Sequence, residues 1–212
     1  MKDLVEKFLS EEDKAAIEAK VQEAEKRTIG EIVVMVVPFS YHYPLANILG
    51  GMLFGVVAGV SVALITGLDT MWHFLGFFVL SFVLGNEVIK RSFFLKRFFV
   101  TGSDMEEEVE EAAIASFYKK EIYDTRDHTG ILIYISLFEH RVWVLGDKGI
   151  NEKVGKSVWQ EISGLITAGI RQKRQVSAIC RAVERCGDIL EKYFPAEQDN
   201  TNELDDSVIV GH

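Results

Sequence analysis

Five carboxylates stand beside stretches that read as strands: Glu31, Asp124, Asp127, Glu139 and Asp147. Acidic side chains at strand ends are the raw material of a calcium or magnesium site, which needs several oxygen ligands converging from loops. Asp127 precedes the run Gly130–Phe138, and Asp147 follows the run Arg141–Leu145. Antiparallel pairing of those runs brings Asp127 and Asp147 to one edge of a sheet. They are the candidate metal pair for Ca2+ or Mg2+. The competing role for both is loop chemistry, a carboxylate capping a turn or a helix start. Glu139 falls at the opposite end, where a local ion pair with Arg141 or His140 is expected.

Other chemistries find less support. Gly149–Ser157 (GINEKVGKS) is a near miss to a phosphate-binding loop, following a strand and opening a helix. It has five residues between its glycines where four are needed, and Glu152 would oppose a phosphate. Neither Cys180 nor Cys186 has an Arg at the spacing of a cysteine phosphatase, and there is no Asp-x-Asp motif. His128 and His140 sit at opposite ends of one expected strand, while His42 and His73 belong to an apolar region. No catalytic set emerges.

The candidates need elements to position them. Ser10 followed by Asp13 reads as a helix cap with an acidic first turn, opening a helix to about Arg27 with Ile17, Val21 and Ala24 as its apolar stripe. Ile32–Val37 is a continuous apolar run ending at Pro38, as expected of a strand buried on both faces. Asp104–Lys120 resumes as a helix. Two strands follow, separated by Glu139–His140, a spacing that predicts a tight hairpin. Helices then cover about Glu152–Arg171 and Val176–Tyr193, and Pro195 stops the last. From Ala196 onward the chain reads as an acidic, mobile tail, with Asp199, Glu203, Asp205 and Asp206.

Between Glu31 and Glu87 there is a single charged residue, Asp69. It divides two apolar runs, Leu45–Leu68 and Thr70–Asn86, which as helices would reach about 36 Å and 26 Å against a hydrocarbon core of about 30 Å. The pattern predicts a transmembrane hairpin over residues 45–89, with spans at about 45–68 and 70–89. Lys90, Arg91, Lys96 and Arg97 follow the second span, whereas the intervening turn carries no Lys or Arg, so both termini are expected in the cytoplasm. Phe93, Phe94, Phe98 and Phe99 interleave with those cations, a composition suited to contact with the inner leaflet of the bilayer. Gly51, Gly55 and Gly59 form a ridge that lets another helix approach closely. Its partner is either the second span, favoured by the short turn, or a second copy of the chain in a homo-oligomer.

Outside the hairpin, residues 1–44 and 90–195 suffice for one discontinuous cytoplasmic domain with a real core. A net charge of −9 argues against nucleic-acid binding. Cys180 and Cys186 are expected to be reduced thiols in that compartment. The order of elements suggests an α/β fold, a small mixed sheet flanked by helices.

Three stretches together carry a family resemblance: Thr28–Val34 (TIGEIVV), Gly130–Leu137 (GILIYISL) and Glu139–Ile150 (EHRVWVLGDKGI). In this order they resemble the TPM domain. Phe194-Pro195 followed by Asn202-Glu203-Leu204 resembles a bacterial, membrane-embedded branch with a hairpin inserted after the first strand. The resemblance implies a central sheet flanked by helices. It also implies relatives as varied as thylakoid-lumen proteins described as acid phosphatases and an auxiliary protein of an acetylcholine-gated channel. Members similar to this chain are encoded near LemA-type membrane proteins, and some bind divalent cations through acidic loop residues. Much of the family is exported, whereas the charges here place the domain in the cytoplasm.

Two functions follow as expectations. The first is an accessory or scaffold protein of the bacterial inner membrane, whose partner is a membrane protein, LemA-type or another TPM protein, in membrane-protein maintenance. The second is a divalent-metal-dependent phosphatase acting at the membrane surface.

Overall fold

The computed structural model describes residues 2–67, 70–196 and 203–211, so Leu68, Asp69 and Asp199 lie outside the described residues. The elements in chain order are α1 (Lys2–Phe8), α2 (Glu11–Glu25), β1 (Glu31–Val37), α3 (Pro44–Thr66), α4 (Met71–Arg91), α5 (Phe93–Arg97), α6 (Gly102–Lys119), β2 (Gly130–Ser136), β3 (Arg141–Gly146), α7 (Lys148–Asn151), α8 (Lys156–Arg171), α9 (Gln175–Tyr193) and β4 (Ile209–Val210). They divide into two compact units, Met1–Tyr41 with Glu106–His212, and His42–Met105. The inserted unit thus extends past the expected boundary at residue 89.

The first unit is built on a four-stranded mixed sheet in the order β3-β2-β1-β4. Every residue of β1 and β2 is buried, as their unbroken apolar runs require. The two pair in parallel, with Glu31 opposite Gly130 and Val37 opposite Ser136. Period-2 alternation sorts their side chains into two cores. Ile32, Val34, Val36, Ile131, Ile133 and Ile135 pack with α2, α8 and α9. Val33, Met35, Leu132 and Tyr134 pack against Val109, Ala113 and Phe117 of α6. The result is a helix–sheet–helix sandwich, the expected α/β class.

Local chemistry explains where the elements begin. Ser10 and Asp13 form a capping box, each side chain accepting from the other's backbone N–H at 3.1 and 2.9 Å. Gly130 sits where a Cβ would stand 2.2 Å from the carbonyl oxygen of Ile122, so only glycine fits there. The connection after β2 is longer than the expected two residues. Leu137 and Phe138 turn over the end of β1, donating to the carbonyls of Val37 and Pro38, and leave residues 137–140 between the strands.

The chain beyond α9, expected as a solvated tail, returns to the sheet in its described part. Residues Ile209 and Val210 pair in parallel with Met35 and Val36 respectively, and the Gly211 N–H donates to the Val36 carbonyl at 3.0 Å.

In the second unit, α3 and α4 are both long and apolar enough to cross a membrane. Gly51, Gly55 and Gly59 face α4. A Cβ at each would stand 3.1 Å from atoms of Phe82 and Asn86, of Phe78 and of Phe74 respectively. The three phenylalanines stack in a row, with successive centroids 6.2 Å apart. Gly85 answers from α4, with room there only for Phe54. Most residues turned outward are apolar, Leu64, Ile65, Met71 and Trp72 among them, with Ser61, Thr66 and His73 as polar exceptions and Glu87, Lys90 and Arg91 charged near the end of α4.

Candidate functional site

The edge of the sheet where β1 and β2 begin and β3 ends collects the acidic groups. Asp127 and Asp147 both stand there, as the antiparallel pairing predicts. Asp147 is occupied by local structure. Its carboxylate accepts from the Lys148 N–H at 2.6 Å, capping α7, and lies 3.2 Å from His128 Nδ1. That cap also explains why α8 starts at Lys156, after a separate short turn of helix, and not at Glu152. Asp127 is exposed on a loop, whose carbonyl lies so close to Gly149 that a side chain there would collide with it.

The acidic groups that converge are others. One carboxylate oxygen from each of Glu25, Glu31 and Asp206 lies within 4.8 Å of the other two. Glu25 is the last residue of α2 and Glu31 the first of β1, so a short reversal sets their side chains together. Thr28 holds that reversal. Its hydroxyl donates to the Phe194 carbonyl at 2.6 Å and accepts from the Gly30 N–H at 3.0 Å. Asp206 arrives from the C-terminal segment. Glu203 anchors that segment twice, through its N–H to Glu31 Oε1 at 3.0 Å and through Oε2 to the Arg126 N–H at 3.0 Å. Val208 adds a third tie, its N–H donating to Glu18 Oε1 at 3.0 Å.

The electrostatics of this cluster are adverse. Burial pushes the Glu25 carboxyl up to about 9; the Ile32 N–H, bound at 2.7 Å, opposes this, and the charges of Glu31 and Asp206 add to it. Burial likewise raises Glu31, against the Glu203 amide and with the charges of Asp206 and Glu203. Glu31 is only 4% exposed, and its Oε2 is buried without a hydrogen-bond partner. Chemically the group can hold a proton or a hard cation through oxygen.

Glu139, at the other end of the sheet, is buried and fully engaged. It accepts from the Ser40 N–H at 3.0 Å and from the Ser136 hydroxyl. Arg141, its expected partner, reaches Glu106 at 3.7 Å.

In the inserted unit, Lys90, Arg91 and Arg97 are exposed, and Phe94 and Phe98, each 73% exposed, meet edge-to-face at 5.2 Å. Lys96 differs from the expected basic set. It is buried, and its Nζ donates to the His42 carbonyl at 3.1 Å. Burial, with the nearby charge of Lys90, holds its pKa below the usual lysine range. The five-residue helix α5 turns this one side chain inward while its neighbours point out.

Sequence reasoning named Glu31 as a strand-entry carboxylate but missed Glu25 and the convergence of Asp206 on it. Glu25 is one of several acids on α2, and only the sheet pairing of Ile209–Val210 brings Asp206 back.

Residues 95–189 match the family model described as the TPM domain. The chain is similar to the BA42 protein of the psychrophilic bacterium Bizionia argentinensis, whose structure was determined by NMR. The TM-score is 0.61 and the identity 21%, over 96% of each chain. At that identity the likeness is one of fold. No curated protein matches the chain. Glu25, Glu31 and Asp206 all lie outside the stretch that the TPM model matches.

Proposed function

We propose that this chain is a multi-pass protein of the bacterial inner membrane that tethers a TPM-like domain to the cytoplasmic face. There it serves another membrane protein as an accessory or scaffold subunit. One observation carries the reading: two apolar helices, fit in length for a bilayer, interrupt the domain between β1 and α6. Most of their outward side chains are apolar, and in water such surface would be costly to expose. Lys90, Arg91 and Arg97, with Phe94 and Phe98 beside them, supply cations and aromatic rings for the inner leaflet. The Gly51–Gly55–Gly59 ridge is used within the hairpin, so it supports self-contained spans over a homo-oligomeric contact.

Fractionation and topology mapping test this directly. The protein should stay in the membrane pellet after alkaline carbonate. A fluorescent protein fused after residue 212 should light up, and an alkaline phosphatase fused there should be inactive. Release by carbonate, or the opposite reporter pattern, would remove the reading. Photocrosslinkers placed on the exposed faces of α3 and α4 should then trap one dominant membrane-protein adduct.

A further inference from the structure

We propose that the cleft between α8 and α9 docks an acidic segment of a partner protein, with one apolar side chain of that segment resting on the cleft floor. The proposal deepens the scaffold reading by giving the partner a chemistry, and it is tested without a membrane. Charge distribution is the first observation. The chain carries a net charge of −9, yet between Glu161 and Glu184 it has no Asp or Glu and four cations, Arg171, Lys173, Arg174 and Arg181. All four are exposed, and among the described residues none joins an ion pair. Arg185, just beyond them, reaches Glu161 at 4.0 Å. A local positive field on an acidic protein attracts an acidic partner.

The second observation is a cavity at that same place. Leu165 and Ala168 of α8 and Ala178 of α9 give it an apolar floor. Arg174, Ser177 and Arg181, spaced along one face at the start of α9, give it a polar rim. Among the described residues no carboxylate lines it. A Cβ at Gly169 would overlap that of Ala178, so the bare glycine lets the two helices close into a base. Only residues 172–174 join the helices, and Lys173 takes φ +57°, a left-handed cap position where glycine has no steric cost. A lysine there sets local backbone ease aside for charge beside the cleft.

Size and composition choose the occupant. The cavity holds about 210 Å3, below the roughly 300–1,000 Å3 of small-molecule sites and enough for one side chain. A bilayer surface favours aromatic rings beside its cations, as with Phe94 and Phe98 next to Arg97, but residues 171–181 include no aromatic. An acidic peptide can use the cations together, its carboxylates meeting the guanidinium forks of Arg174 and Arg181. Its apolar side chain on the floor then fixes which carboxylate meets which arginine.

The experiment uses the full chain in nonionic detergent and fluorescence anisotropy. The probe is a fluorescein-labelled peptide of Glu, Asp and Gly around a single Leu, with the Gln/Asn version as control. The acidic peptide should bind at least tenfold more tightly than the control, and weaken at least fivefold as NaCl rises from about 50 to about 300 mM. Arg174→Gln and Arg181→Gln, both at exposed positions, should each weaken binding at least threefold, and R174E/R181E should abolish it. Ala168→Phe, which fills the floor, should also weaken it at least threefold, while Lys153→Glu should change it less than twofold. No preference for the acidic peptide overturns the proposal, as does binding that survives R174E/R181E or is indifferent to Ala168→Phe. So does a preference for membrane: binding of phosphatidylglycerol vesicles, lost in R174E/R181E, by protein held in phosphatidylcholine nanodiscs that ignores the peptide.

Discussion

Two buried glutamates stand at opposite ends of one sheet, and their surroundings differ in kind. Glu139, 1% exposed, has donors aimed at it from Ser40 and Ser136. Glu31, 4% exposed, has one oxygen satisfied and one left over, with other carboxylates for neighbours. Burial alone therefore does not distinguish a structural acid from a functional one. Satisfaction does. At the Glu139 end the chain supplies a backbone amide and a hydroxyl, and the acid knits the β2–β3 connection to the chain just past β1. At the Glu31 end the Glu203 amide orients the acid, and among the described residues no cation pairs with it.

Four substitutions separate these ends, beginning with the largest effect. Glu139→Ala should lower stability by about 3 kcal/mol, because it strands a buried amide and a buried hydroxyl. Urea unfolding of the detergent-solubilised protein reads this out. Glu31→Gln should act in the opposite direction, raising stability near neutral pH by about 1 kcal/mol as a buried carboxylate beside Asp206 is replaced by a neutral amide. A loss at Glu31 as large as that at Glu139 would erase the distinction. Asp147→Ala should cost somewhat less than about 1 kcal/mol through loss of the α7 cap. Asp127→Asn, on an exposed loop, should stay within about 0.5 kcal/mol of the parent.

Much of this architecture is written in local pattern. The unbroken run Ile32–Val37 announces a strand buried on both faces, Ser10 with Asp13 announces a helix start, and the charge-free stretch announces the hairpin. Antiparallel pairing of two recognisable strands also placed Asp127 and Asp147 at their shared edge. What local pattern does not carry is the return of the C-terminal segment. Two residues, Ile209 and Val210, are too few for a strand signal, and the acids before them have the composition of a solvated tail. They are held because β1 offers an open edge, a property that exists only once the sheet is assembled. The acidic cluster depends on that same assembly, since one of its three members rides on the returning segment. Lys96 illustrates the same limit on a smaller scale: its neighbours in sequence point outward, and only the turn of α5 decides that it points in.

The position of the hairpin in the chain has a consequence for biogenesis. β1 leaves the ribosome before α3 and α4, and both of its partners in the sheet come after them. The gap from Val37 to Gly130 takes roughly 5 to 20 s to synthesise at about 5–20 residues per second. Through that interval a strand with seven residues destined for burial has no neighbour to pair with. On the membrane reading proposed above, the two apolar helices are delivered to the bilayer in the same interval. That reading orders membrane targeting and folding of the sheet in time: a chain whose insertion stalls is also a chain whose sheet cannot close.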